Sequence, residues 1–196
     1  MNFDLHLTTA CNMKCYFCGA WEYGQTACYI AIDQARAWLD QARRQGYTFV
    51  TLTGGEPTVY PDLIPLLDYA AAAGFQIVMT TNALCLTEET VSALRRTRTL
   101  VRVSLHTLDP ALHRKLTGTD SLAQVLQHLK ELQRRQVPHS IGCTVTPQNL
   151  SEVSRLADLA RQTACRFIRF TPVVAIRGAQ DQSVSAAFHA DLLGRI

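Results

Sequence analysis

The sequence predicts an α/β protein built as a partial (β/α)6 barrel, a curved parallel sheet with its helices outside. Three observations carry that expectation. Six short runs rich in β-branched and aromatic residues alternate with segments of helical spacing, and this alternation implies a parallel sheet with right-handed crossovers. The runs read as apolar on both faces, so the sheet needs cover, which a doubly wound or a barrel-like arrangement supplies. A closed eight-unit barrel takes roughly 250 residues; six units in 196 residues leave it open along one side.

The elements follow in order. Strands are expected over 3–8 (FDLHLT), 47–53 (YTFVTLT), 75–81 (FQIVMTT), 100–106 (LVRVSLH), 139–146 (HSIGCTVT) and 166–171 (RFIRFT), each dense in residues that suit a pleated, buried surface. Between the first two, DQARAWLDQARRQG places Trp38, Leu39 and Ala42 on one face and Gly46 as a C-terminal cap. PDLIPLLDYAAAAG ends at Gly74, and TEETVSALRR opens with Thr87 as N-cap followed by two acids. DSLAQVLQHLKELQRR carries Leu122, Val125, Leu126, Leu129 and Leu132, and SEVSRLADLARQ repeats the pattern. Residues 1–178 form the expected core. Residues 179–196 read as its last helix, in SVSAAFHADLLGRI, or as the start of a C-terminal extension cut short at Ile196.

Composition excludes several classes. The chain is 47% hydrophobic and 18% charged, as a packed domain requires and a disordered or fibrous chain does not. Its formal charge is +3, with the arginines scattered rather than gathered into one block, so neither nucleic acid nor a membrane surface is implied. No apolar run reaches the length of a membrane span, and MNFDLHLTTAC has no basic n-region; a cytoplasmic location is expected. Seven cysteines in such a chain read as reduced thiols or metal ligands rather than a disulfide framework.

Three of those cysteines, Cys11, Cys15 and Cys18, crowd into CNMKCYFC directly after the first strand. Soft thiolates converging on one centre select zinc, copper(I) or an iron-sulfur cluster. A structural zinc site is normally closed by a fourth protein ligand, and Cys28, Cys85, Cys143 and Cys165 sit apart and read as buried or packed thiols. Three thiolates on a [4Fe-4S] cluster leave one iron without a protein ligand. Ligands of parallel α/β folds gather at the C-terminal strand ends, and each strand is followed there by an unusual stretch: the cysteine loop, TGGEPT, TTNA, SLHT, TVTPQN and FTPVV.

C-x3-C-x2-C with an aromatic before the last cysteine, followed after the second strand by Gly54-Gly55-Glu56-Pro57, resembles the cluster loop and GGEP motif of the radical S-adenosylmethionine (radical SAM) superfamily. Neither motif alone is decisive, because Gly-Gly turns before a helix-opening Glu-Pro are ordinary devices. Their order and register with the strands make the match specific, from residue 3 to about residue 178. GGEP, VSLHTLDPALHRKLTG and TVTPQNLSEV resemble most the branch of molybdopterin-precursor cyclases and SPASM-type peptide maturases.

The resemblance implies a [4Fe-4S] cluster on Cys11, Cys15 and Cys18, and SAM bound at the open iron. It places Phe17 near the adenine, and Gly54, Gly55, Glu56, Pro57, Thr80, Asn82, Ser104, His106 and Thr144 around the SAM pocket. Many relatives carry Asp where His106 stands. An external one-electron donor, flavodoxin- or ferredoxin-like, would drive cleavage of SAM to a 5′-deoxyadenosyl radical, which takes hydrogen from a small-molecule or peptide substrate. A glycyl-radical-enzyme activase is the second enzyme class, and a cluster-binding module without SAM cleavage the non-enzyme class. His6 and Arg169 are further candidates at the barrel interior, though packed or salt-bridged roles are as ordinary for them. His113, His128 and His139 read as packed or solvated.

Overall fold

The computed structural model describes residues 1–19 and 26–173. The strands are β1 (Asn2–His6), β2 (Phe49–Thr53), β3 (Gln76–Thr81), β4 (Leu100–Ser104), β5 (His139–Val145) and β6 (Ile168–Pro172). The helices are α1 (Ile32–Arg44), α2 (Leu63–Ala72), α3 (Glu88–Arg96), α4 (Pro110–Thr117), α5 (Leu122–Arg134) and α6 (Val153–Gln162). All six strands are parallel, in the order β1-β2-β3-β4-β5-β6. That order separates the two arrangements that periodicity left open. Right-handed crossovers that all step the same way put every helix on one face of the sheet, whereas a doubly wound sheet needs a reversal of direction. The sheet is therefore the curved, unclosed half-barrel expected, with β1 and β6 as its edges. Residues 174–178 of the expected core and the expected last helix lie outside the described residues.

The strands are not equally apolar on both faces, which corrects the reading above. On the convex side Leu5, Val50, Leu52, Ile77, Met79, Val101, Val103, Ile141 and Val145 are fully buried against Leu39, Leu66, Leu67, Leu94, Leu129, Leu132 and Leu156 of the helices. The concave side carries Asp4, His6, Thr51, Thr53, Thr80, Arg102, Ser104 and Thr144, all exposed or half-buried. A sheet open along one edge leaves its inner face wet, and alternation along each strand delivers one polar and one apolar face.

The structure has one helix that the sequence pattern does not predict. α4 opens on Asp109, whose carboxylate accepts from Leu112 N–H at 2.7 Å, with Pro110 in the first turn, and closes on Gly118. Those are helix start and stop signals, hidden because the motif ALHRKLT is short. Thr87 caps α3 as expected, its hydroxyl accepting from Thr90 N–H at 3.1 Å. Thr87→Ala is expected to cost about 1 kcal/mol in a urea titration, the usual loss for an N-cap. No helix among the described residues is long and apolar enough to cross a membrane.

Candidate active site at the C-terminal strand edge

The parallel order sends the loops after β1 to β5 to one edge, where β6 also ends. The loop carrying Cys11, Cys15 and Cys18 runs from β1 across this edge and is pinned at its far side by α4. Lys14 N–H donates to Thr117 O at 3.0 Å and Tyr16 N–H to Leu116 O at 3.1 Å, while Met13 plugs the core. Cys18 N–H turns back to Cys15 O at 3.0 Å. The missed helix is thus what holds the cysteine loop in shape.

Burial raises the Cys11 thiol, and the charges of Glu56 and Cys18 add to it, against hydrogen bonds from Met13 N–H and Asn82. The Cys15 thiol is pushed up to about 12, by burial first and then by Cys18 and Cys11. The three sulfurs therefore share one electrostatic environment, in which thiolates need a cationic partner. Among the described residues, no three His, Cys, Asp or Glu side chains close on a point as ligands of a single ion would. A cluster, unlike a single ion, offers each thiolate its own iron. Three soft thiols on one loop are a donor set that suits such a cluster.

Gly54 and Gly55 pass directly beneath the start of that loop. Gly55 N–H donates to Thr8 O at 2.6 Å and Glu56 N–H to Ala10 O at 2.8 Å. A Cβ on Gly55 would collide with the Ala10 carbonyl, and Gly54 has φ +141 besides; only glycine allows this approach. A cavity of about 790 Å3 opens beside them, lined by His6, Thr9, Cys28, Tyr29 and Trp38 among others.

Glu56 is 1% exposed and its carboxylate is spent within the protein. Oε1 accepts from Thr58 N–H (2.9 Å), the Thr58 hydroxyl (2.7 Å) and the Thr81 hydroxyl (2.6 Å), and Oε2 from Asn82 N–H (2.7 Å). It ties the loop after β2 to the end of β3. Pro57 opens the short 3-10 turn Pro57–Val59 that follows. Asn82 passes the connection on: its Nδ2 donates to Asn12 Oδ1 at 2.6 Å and lies 3.9 Å from Cys11 Sγ. Thr81 and Asn12 escaped the sequence reading. For Thr81 the signal was parity, since Thr80 faces the concave side and Thr81 must face the other way.

Ser104 ends β4 in register with Gly142, and Thr144 stands two residues further along β5, both on the concave side. His106 lies beyond the end of β4 and is 5% exposed. Its Nδ1 accepts from Thr144 N–H at 3.1 Å, so the ring carries its proton on Nε2, and Phe17 meets it edge-on at 4.8 Å. Asn149, fully buried, was also missed. Its Nδ2 donates to His106 O at 2.8 Å and Thr144 O at 2.9 Å, and its Oδ1 accepts from Thr146 N–H at 2.7 Å. Of the other histidines, His139 spans Val137 O and Thr163 O, His128 contacts Ala83 O, and His113 contacts Ser121; all are packed. His6 lines the 790 Å3 cavity, and Arg169 faces the concave side.

Burial, with the nearby His113 charge adding to it, pulls the His106 pKa down to about 4 from the ordinary 6.5 or so. Between these values the unfolded chain binds the proton and the folded one does not, so stability is full above about pH 6.5 and falls as pH drops toward 4. The contribution lost is about 3 kcal/mol. His106→Gln is expected to flatten that part of a stability-against-pH curve measured by urea unfolding.

The family model for the radical SAM superfamily matches residues 5–160. The chain is 29% identical over 191 residues to an AdoMet-dependent heme synthase of Methanosarcina barkeri, covering 95% of this chain and 55% of that protein. It is 30% identical over 166 residues to a probable GTP 3',8-cyclase of Thermococcus kodakarensis, covering 83% and 53%. With the mycofactocin maturase MftC of Mycobacterium tuberculosis it shares 28% over 170 residues, covering 85% and 44%. The chain thus spans about half the length of the curated relatives it matches. In fold it is similar to Streptococcus suis SuiB bound to S-adenosylmethionine, with a TM-score of 0.88 at 22% identity over 98% of this chain and 46% of that one.

Proposed function

Because this chain belongs to the radical SAM superfamily, we propose that Cys11, Cys15 and Cys18 hold a [4Fe-4S] cluster and that SAM binds along the adjoining strand edge. The observation that carries this reading is the cysteine loop itself. Burial, with the neighbouring thiols adding to it, raises the Cys11 and Cys15 pKa values, and the loop is fixed between Asn82 and α4, directly above Gly54 and Gly55. When bound, the pair supplies one-electron cleavage of the S–C5′ bond to a 5′-deoxyadenosyl radical, and the protein's part is to position it and shield it.

The residues divide that part among them. Met13 N–H and the Asn82 amide donate toward Cys11 Sγ, favouring its thiolate. Gly54 and Gly55 allow the methionine end of SAM close backbone approach. Thr80, Ser104 and Thr144 offer hydroxyls on the concave side, and Phe17 an aromatic face backed by a neutral His106. Glu56 and Pro57 act by shaping the loop. The substrate, a peptide or small molecule, lies on the polar concave face, and the electron comes from a flavodoxin- or ferredoxin-like donor in the cytoplasm.

Anaerobic reconstitution with iron and sulfide, then incubation with SAM and dithionite, tests this reading. Bound iron and 5′-deoxyadenosine are expected. A protein that takes up no iron, or takes it up and leaves SAM intact, overturns it.

A further inference from the structure

Two arginines on the concave face have no ion-pair partner among the described residues. Arg102 of β4 is in register with Thr80 and Ser140, and Arg169 of β6 with Gly142, which is itself in register with Ser104. Residues in register across parallel strands point to the same side. Both guanidinium side chains therefore rise from the concave face, on the two strands that flank β5. Gly142 makes room between them. A Cβ placed there would lie 3.2 Å from both Cγ and Cδ of Arg102, so the Arg102 chain runs across the glycine toward β6.

No carboxylate among the described residues forms an ion pair with either. Every ion pair among the described residues belongs to the helical layer, such as Arg96–Asp68, Arg135–Glu88 and Arg161–Asp158. Neither Arg102 nor Arg169 is in one, and Arg102 Nε is buried with no hydrogen-bond partner. Burial lowers the Arg102 pKa first, the Arg169 charge lowers it further, and Asp4 offsets only part. Keeping two like charges beside each other in a half-buried place costs stability unless an anion is shared between them. A cavity of about 450 Å3 lies at this point, lined by Arg102, Arg169 and the segment Phe167, Ile168 and Phe170. Phe167, in line with Ser140 on the concave side, is 41% exposed there.

We propose that Arg102 and Arg169 form a binding site for an oxyanion, a carboxylate or a phosphate, carried by a substrate whose apolar part rests on Phe167. The site rests on the reading that the concave face is the substrate side, and it deepens that reading by naming the substrate's chemistry. It lies on the β4–β6 side of the sheet, across from the cysteine loop at β1. Planar guanidinium groups suit such a group because each offers paired N–H donors to two oxygens.

Thermal unfolding of the whole chain without SAM, in inorganic phosphate, in succinate and in sodium chloride of matched ionic strength, tests the site. At roughly twenty times the dissociation constant, the preferred anion is expected to raise Tm by on the order of 5 °C over chloride. The phosphate and succinate arms tell the two oxyanions apart. Arg102→Gln/Arg169→Gln is expected to lose that shift, as is Arg169→Gln alone, whose exposed side chain is not needed for folding. No shift with either anion in the unaltered chain, or an equal shift in both variants, overturns the proposal. Measuring 5′-deoxyadenosine in the unaltered chain separates the two readings. SAM cleavage without an anion shift removes the oxyanion site alone, and an anion shift without SAM cleavage removes the enzymatic reading alone.

Discussion

Replacing Cys11, Cys15 and Cys18 together by alanine is expected to leave a folded protein that retains no iron after reconstitution and forms no 5′-deoxyadenosine above background. The loop survives because its anchors are backbone bonds, from Lys14 and Tyr16 to the end of α4, and the buried Met13 side chain. None of these uses a cysteine sulfur. Removing one thiol at a time is expected to lower reductive cleavage by more than the ~10–100-fold that loss of a supporting contact costs a metal site, because each is a ligand and none of the other four cysteines is on the loop. Far-UV circular dichroism together with iron content checks both halves. A triple variant that still yields 5′-deoxyadenosine contradicts the assignment.

Glu56→Ala carries the second large effect, and it is an effect on architecture. The carboxylate satisfies four donors from three residues, Thr58, Thr81 and Asn82. Truncation leaves these buried donors without an acceptor, at a cost of roughly 3–5 kcal/mol. For a chain of this size that is a fall in Tm on the order of 10 °C. Glu56→Gln separates charge from geometry. An amide oxygen at the Oε1 position keeps the contacts to Thr58 and Thr81, and the amide nitrogen then faces the Asn82 N–H, donor against donor. The smaller loss expected is about 1–3 kcal/mol. Because Asn82 in turn reaches Asn12 and Cys11, both variants are expected to retain less iron than the unaltered chain at equal folded fraction. A Glu56→Ala protein as stable as its parent would show that the carboxylate does not organise these loops.

How much of this was readable beforehand differs from residue to residue. The strands and five of the helices followed from local patterns, since hydrophobic spacing and caps such as Thr87 are written within a few residues. α4 was overlooked although Asp109, Pro110 and Gly118 mark both its ends. Its eight residues carry only two turns of pattern, and its role as clamp on the cysteine loop depends on contacts about a hundred residues away in sequence. Glu56 was picked out as part of a pocket. Its direction could not be read, because a carboxylate beside a glycine turn points inward only if Thr81 and the Asn82 amide are there to receive it.

The sequence by itself determined a parallel α/β sheet of six strands, a three-thiol loop after the first of them, and a strand edge onto which the unusual stretches converge. These depend on periodicity and on chain direction, which are local. Only the tertiary structure decided that the inner face of the half-barrel is polar. It also decided that Asn82 and α4 grip the cysteine loop from opposite sides, and that Gly142 leaves Arg102 and Arg169 facing each other across β5. Each of these is a relation between residues tens of positions apart, set by strand order and register. Sequence spacing carries no trace of such relations until the chain has folded.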